Sequence, residues 1–178
     1  IVQQMPDNGR VIGLQKGQAS LTDLAVAAAD RLGKSARILL FSWGMSLEDL
    51  ALLQRVHADG RVSQIQIRLD SKRAGEERFG VMVASFGAEN VTSSAMHAEV
   101  AAVTHPNGRA IVVRGSMGNN RNAQFQQFEI EESADAAALV LAHHASPQRG
   151  AVFPKTKTEP QFAAAALQGL DAGRVFGF

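Results

Sequence analysis

The alternation of strand and helix patterns along the first half of the chain limits the fold more than any other feature. Segment 36–43 (ARILLFSW) is short and almost uniformly apolar, which is typical of a strand covered on both faces. Segment 64–70 (QIQIRLD) alternates strictly between polar and apolar residues, as a half-buried strand does. Helical patterns precede, separate and follow these two strands. Such an alternation predicts an α/β domain.

The predicted helices have recognisable ends. Ser20 and Ser46 each precede an apolar pattern of helical period and are followed three residues later by an aspartate, as in a capping box. The apolar stripe of the second helix is predicted to include Leu47. Glycines end helices readily because they adopt left-handed backbone angles. The glycines that close the three helices are Gly33, Gly60 and Gly87.

The pattern changes in the second half of the chain. Segments 96–104 and 109–114 are predicted to form two strands joined by the turn sequence HPNG. A strand over 124–131 and an alanine-rich helix over 133–144 follow. The expected fold is therefore α/β, with a mixed β-sheet flanked by helices.

Composition and length are those of a globular protein with one main domain. The chain has 178 residues, of which 46% are hydrophobic and 20% charged, and no apolar run approaches the roughly 20 residues that cross a bilayer. We interpret residues 1–146 as the domain and 147–178 as a C-terminal arm that packs on the domain or on a partner. Segment 13–17 is interpreted as a turn. The absence of cysteine excludes disulfides and thiol nucleophiles and fits a cytoplasmic protein.

The residues with the most chemical potential lie between positions 97 and 119. His97 and Glu99 are two apart, so on a strand their side chains point to the same face. The segment Gly115-Ser116-Met117-Gly118-Asn119 follows the second strand of the hairpin, and its small and polar residues are suited to binding anionic oxygens. Together they indicate a phosphate site. The alternative for His97 is a semi-buried, hydrogen-bonded histidine.

These segments resemble the phospholipase D-like phosphodiesterases, whose signature is H-x-K, an aspartate five residues on, and G-S-x-x-N. This chain has His97-Ala98-Glu99 and Gly115-Ser116-Met117-Gly118-Asn119, and the segment Phe128-Glu129-Ile130 is similar to the trailing strand of the family. The resemblance covers residues 12–145. The chain resembles a one-motif, prophage-type member of the family with a degenerate H-x-E motif. This resemblance implies a phospholipase D-like α-β-α sandwich.

The resemblance also implies roles for individual residues. In this family a histidine attacks phosphorus to form a phosphohistidine, and a second histidine protonates the leaving oxygen. Carried over to this chain, the catalytic positions are His97 and Glu99. The implied phosphate ligands are Ser116, Asn119, Arg114 and Arg121, and the implied supporting residues are Gly115 and Glu129.

Glu99 departs from the family pattern because it stands where the lysine is expected. A carboxylate near a phosphate replaces an attraction by a repulsion. Four interpretations stay open at this point. Arg114 or Arg121 replaces the lysine, Glu99 is protonated, a divalent metal bridges His97 and Glu99, or the site has lost catalysis. No other cofactor is expected.

The expected function is that of a nuclease-like phosphodiesterase acting on DNA. The alternative is a non-catalytic nucleic-acid-binding or phage structural protein that retains the scaffold. The formal charge of +1 confines any nucleic-acid contact to a local patch, and no membrane association is expected. Because the chain carries one motif and the two-step displacement needs two histidines, the resemblance implies a homodimer with a shared site.

Several other residues have ordinary structural interpretations. The basic cluster Lys72, Arg73 and Arg78 is interpreted as a solvated helix face, with a DNA-backbone contact as the alternative. Trp43 is interpreted as core or pocket wall rather than as a platform for a base. The pair His143-His144 is interpreted as favourable charge at a helix end.

Overall fold

A mixed sheet of seven strands forms the centre of the part of the chain that the computed structural model describes, namely residues 1–73, 75–119 and 124–145. The predicted C-terminal arm and Arg121 lie outside these residues. The strands are β1 (Arg10–Lys16), β2 (Ala36–Ser42), β3 (Val62–Asp70), β4 (Val91–Ser94), β5 (Val100–Thr104), β6 (Ala110–Gly115) and β7 (Phe125–Glu132). Their spatial order is β1-β7-β6-β5-β2-β3-β4, with β2, β3 and β4 parallel and the other neighbours antiparallel.

Helices cover both faces of this sheet. They are α1 (Leu21–Leu32), α2 (Leu47–Ala58), α3 (Glu77–Phe86) and α4 (Ala134–Ala145). The main core lies between the sheet and α1, α2 and α3, whereas α4 packs on the opposite face against β5 and β6. The predicted α/β sandwich with a mixed sheet is confirmed. Within the described residues, no helix combines the length and the apolar character that crossing a membrane requires.

The predicted helix ends are confirmed. The hydroxyl of Ser20 accepts a hydrogen bond from the N–H of Asp23, and the Asp23 carboxylate accepts one from the N–H of Ser20. The hydroxyl of Ser46 caps α2 by accepting from the N–H of Asp49, whereas its own N–H donates to the carbonyl of Asn119 rather than to the Asp49 side chain. Gly33 follows α1 with a φ of 102°, in the left-handed region that favours glycine.

The interpretation of segment 13–17 as a turn is wrong for most of its length. Residues up to Lys16 belong to β1, an edge strand that pairs with β7, and the turn begins only at Gly17, with a φ of 73°. Gly13 lies against the ring of Phe128, where an added Cβ would be 2.4 Å from Cζ. The glycine is therefore required by the close approach of an aromatic ring and not by a turn.

The hairpin strand predicted over 96–104 is shorter than expected, because β5 begins at Val100. Upstream of it, the N–H of Met96 donates to the Asp70 carboxylate at 3.1 Å instead of to a strand. The carbonyl of Glu99 still accepts a hydrogen bond from the N–H of Gly115 at 3.3 Å, so pairing with β6 ends at this residue. His97 therefore lies just before β5, outside the strand.

Helix α2 buries a different stripe from the predicted one. Its buried apolar residues are Leu50, Leu53 and Val56, and Leu47 is 60% exposed. Leu47 is the first residue of the helix. The assignment of Leu47 to the core is wrong.

Two alanine substitutions in α2 test this packing. Leu53 is fully buried, so Leu53→Ala is expected to lower the free energy of unfolding by about 2–5 kcal/mol. Leu47→Ala, the same change in the same helix, is expected to cost less than about 1 kcal/mol. Urea denaturation of both variants measures the difference. Equal losses would contradict the described orientation of α2.

Candidate active site

The carboxylate of Glu99 is held at the carboxyl end of β2. The hydroxyl of Ser42 donates to Oε2 at 2.7 Å, and the N–H of Trp43 donates to Oε1 at 3.0 Å. Burial raises the pKa of the Glu99 carboxyl above its usual range, against the opposing effects of these two hydrogen bonds and of the charge on His97. Glu99 thus takes up a proton more readily than an exposed glutamate does.

His97 lies beside Glu99 and is exposed to solvent. The residues flanking it, Met96 and Ala98, pack on the opposite side, against the cluster of Leu39, Phe41 and Ala102 under α4. The charge on His97 acts on the Glu99 carboxyl, so the two side chains lie near each other. An exposed imidazole next to a partly buried carboxyl is free to meet a ligand.

A pocket of about 200 Å³ opens beside Glu99 at the carboxyl ends of the parallel strands β2 and β3. Ligand sites of open α/β sheets commonly lie at this end of the strands. The pocket is lined by Trp43, Arg73, Glu76, Arg78, Glu99 and Gly118, together with Gly44, Met45 and Ser46. Polar and apolar surfaces therefore meet in one pocket.

Two arginines bring positive charge to this pocket. Arg73 follows β3 in a single helical turn, and its guanidinium carbon lies 3.9 Å from the centre of the Trp43 ring. It also forms an ion pair with Glu76. Arg78, at the start of α3, donates to the carbonyl of Met45 at 3.1 Å. The interpretation of this cluster as a solvated helix face is wrong for Arg73, which precedes α3 and covers the Trp43 ring, whereas Arg78 is exposed on α3 and also lines the pocket.

Asn119 lies behind the pocket and joins two helix starts. Its side-chain oxygen accepts from the Thr22 hydroxyl at 2.9 Å, and its carbonyl accepts from the N–H of Ser46 at 2.8 Å. The residue is fully buried, and its amide nitrogen has no hydrogen-bond partner among the described residues. In this arrangement Asn119 fixes the loop against the first turns of α1 and α2.

Ser116 is exposed and bonded to strand β7. Its hydroxyl accepts from the N–H of Gln127 at 3.0 Å, and its own N–H donates to the carbonyl of Gln127 at 3.0 Å. Gly115 makes this close pairing possible, because an added Cβ would lie 2.2 Å from the same carbonyl oxygen. Neither Ser116 nor Gly115 lines the pocket beside Glu99.

Arg114 lies on the other face of the sheet. It pairs across strands with Val100, which packs under α4, and its guanidinium binds Glu129 at 2.6 Å and Glu131 at 2.7 Å. The hydrogen bond from Arg114 is the main reason why the pKa of Glu129 is lowered. The structure therefore does not bring Arg114 and Glu129 together with Glu99. Arg121 lies outside the described residues.

A metal site would have few ligands here. Within the described parts of the chain, no three His, Asp or Glu side chains converge in a geometry that could hold a metal ion. Among the His, Asp and Glu side chains of the described residues, a divalent cation between His97 and Glu99 would thus have these two as ligands. Its presence stays a prediction.

The pH dependence of stability tests the environment of Glu99. Its folded-state pKa is raised, so the ionised carboxyl destabilises the fold, and stability falls as pH rises through the unfolded and then the folded pKa. Glu99→Gln removes this loss. The stability of the variant relative to the wild type is therefore expected to increase between pH 4 and pH 8, as measured by urea denaturation.

Glu129→Gln is the matched control with the opposite sign. The pKa of Glu129 is lowered by Arg114, so its ionised form stabilises the fold above the usual pKa, and this contribution is lost as pH falls. The stability of Glu129→Gln relative to the wild type is therefore expected to decrease as pH rises. Identical pH profiles for the two variants would contradict the geometry described for Glu99.

Comparison with family models found no match for this chain, and comparison with curated proteins also found none. Similar solved structures exist. Polyphosphate kinase from Porphyromonas gingivalis has a TM-score of 0.55 and 13% sequence identity, over 79% of this chain and 27% of the kinase. Nuc from Salmonella typhimurium, a phospholipase D family member, has a TM-score of 0.47 and 16% identity, over 75% of this chain and 91% of Nuc.

Yeast tyrosyl-DNA phosphodiesterase is a third similar structure, with a TM-score of 0.43 and 19% identity over 68% of this chain. The aligned region spans only 31% of the yeast enzyme, as it spans 27% of the polyphosphate kinase. At these identities the similarity concerns the fold alone, and of these three alignments it rests on the one with the polyphosphate kinase, whose TM-score exceeds 0.5. The mixed seven-stranded sheet with helices on both faces agrees with it. The chain therefore shares an α/β fold with the aligned region of the polyphosphate kinase.

Proposed function

We propose that this domain is a nuclease-like phosphodiesterase that binds the phosphate backbone of DNA in the pocket beside Glu99. The observation that carries the proposal is the meeting of His97, Glu99 and two arginines at one end of the sheet. A nucleophile, an ionisable group and cations are the parts that phosphodiester cleavage needs.

In this proposal, Arg73 and Arg78 take the part that the resemblance assigns to a lysine. A guanidinium offers several N–H donors in a planar fork that matches a phosphate. At about 4 Å and an effective dielectric constant near 20, one such contact is worth about 4 kcal/mol. The two arginines replace Arg114 and Arg121, which the sequence had suggested for this role.

Protonation of Glu99 removes the repulsion that its carboxylate would exert on a phosphate. Burial favours this protonation, since it raises the pKa of the group. When Glu99 is neutral, the charged side chains that line the pocket are Arg73, Arg78 and Glu76. The pocket then has a net positive charge, which suits a phosphodiester anion.

The proposed reaction has two steps. The imidazole of His97 forms a bond to phosphorus while the bond between phosphorus and the leaving oxygen breaks. Water then displaces His97 from phosphorus, gives its proton to the histidine that protonated the leaving oxygen, and releases the second product. The leaving oxygen takes a proton, which a second copy of this chain would supply from its own histidine in a homodimer.

A second candidate function is binding of nucleic acid without cleavage. The observation that favours it is the position of Glu99, a carboxylate in the pocket where a cation would stabilise the transition state. Arg73 is also partly neutralised by Glu76. Both functions use the same pocket, so one experiment separates them.

Cleavage of a labelled DNA strand by the full chain tests the first function. His97→Ala is expected to lower the cleavage rate at least about a thousandfold, because it removes the nucleophile. His105→Ala is the control, since His105 lies in the β5–β6 turn, at the other end of β5, and contacts the carbonyl of Lys34. Assays with EDTA and with added Mg²⁺ report any need for a cation.

Glu99→Lys tests the same pocket through an expected gain in DNA binding. Placing a cation where the Glu99 carboxyl lies is expected to tighten binding of the DNA strand at least about tenfold. Light scattering on the same samples reports whether the protomers form dimers. Cleavage that survives His97→Ala would overturn the proposed mechanism. Binding without cleavage in all variants would instead support the second function.

A further inference from the structure

Trp43, the one tryptophan in the sequence, occupies an unusual position for a large aromatic residue. It follows β2 directly, lines the pocket and is 40% exposed. The expectation from sequence was core or pocket wall, and the structure agrees with a pocket wall. An exposed indole beside a polar pocket needs an explanation other than core packing.

The indole ring is held in place from two directions. The backbone N–H of Trp43 donates to the Glu99 carboxylate, which fixes the backbone from which the ring projects. The guanidinium of Arg73 covers the ring at 3.9 Å, and Glu76 restrains that guanidinium in turn. The ring therefore loses little conformational entropy when it binds a ligand, which favours affinity.

Arg73 retains hydrogen-bonding capacity in this arrangement. Its Nε is buried and has no hydrogen-bond partner among the described residues, one other nitrogen, Nη1, donates to Glu76, and the side chain as a whole is 30% exposed. A guanidinium that stacks on an aromatic ring and keeps free donors can contact a phosphate and support a base at the same time. Trp43 and Arg73 thus form one unit with a flat apolar part and a cationic part.

We propose that Trp43 is a stacking platform for one base of a single DNA strand whose phosphate lies in the adjacent pocket. The inference rests on the proposed function, because it takes the same pocket as the phosphate site. Bases of a duplex are already stacked and paired, whereas a single strand exposes its bases to aromatic side chains. The platform therefore makes the domain select single-stranded over duplex DNA.

The chain offers a matched control for this residue. Phe125 is 78% exposed, and the ammonium of Lys16 lies 5.5 Å from the centre of its ring, so it too is an exposed aromatic next to a cation. In β7, Phe128 and Ile130 point into the main core, and Phe125 lies on the opposite face of the strand. Phe125 is not in the lining of the pocket, and its substitution leaves the proposed platform intact.

The fluorescence of Trp43 gives a direct measurement. The full chain carrying His97→Ala, which cannot cleave, is titrated with a thymidine oligonucleotide, a blunt duplex of equal length, and inorganic polyphosphate. Saturable quenching is expected with the oligonucleotide, and little with polyphosphate, which has phosphates but no bases. The duplex is expected to bind more weakly than the single strand.

Substitutions then measure the contribution of the platform. Trp43→Ala is expected to weaken oligonucleotide binding about 5- to 150-fold, and to change polyphosphate binding less than about twofold. Trp43→Phe keeps a ring and is expected to restore most of the affinity, and Phe125→Ala is expected to leave it unchanged.

Three results would overturn the inference. Oligonucleotide that binds without quenching Trp43, or equal binding to Trp43→Ala and the parent, would remove the platform and leave the proposed phosphate site standing. Equal quenching by polyphosphate would show that phosphate contact alone changes the fluorescence. Failure of both the oligonucleotide and polyphosphate to bind would instead overturn the proposed function itself.

Discussion

The pair of hydrogen bonds that Ser42 and Trp43 donate to the Glu99 carboxylate is the interaction on which the rest of the candidate site depends. It joins the end of β2 to the segment that enters β5, so it fixes where His97 stands. It also fixes the backbone from which the Trp43 ring projects over the pocket. Because Glu99 is partly buried, the same contact controls the charge of the pocket through the proton on this group.

A second set of buried contacts supports this site from behind. Ser20 and Ser46 both bind the buried carboxylate of Asp49, and Asn119 joins the first turns of the same two helices. A carboxylate between two helix N-termini is stabilised by both helix dipoles. The loop residues of the G-S-x-x-N pattern thus have a structural part in holding Gly118 next to Glu99, whatever chemistry the pocket performs.

Sequence patterns predicted the elements with strong local signals and missed those set by distant contacts. Capped helices and the buried strand β2 carry their own signals. The strands at the two edges of the sheet do not, since β1 is mostly exposed and β4 has only four residues. Arg73 was assigned to a solvated face because the end of the sheet that it reaches depends on strand order. Arg114 was grouped with Glu99 although its pairing with Val100 turns it to the other face.

The central claim is that phosphate binds beside Glu99, between His97 and the arginines of the pocket. Anomalous diffraction from crystals soaked in tungstate, an analogue of phosphate, tests this claim most directly. We predict an anomalous peak within hydrogen-bonding distance of the guanidinium of Arg73 or Arg78, on the side of the pocket that Glu99 lines. A peak at Ser116 or Arg114, with none in the pocket, would contradict the account.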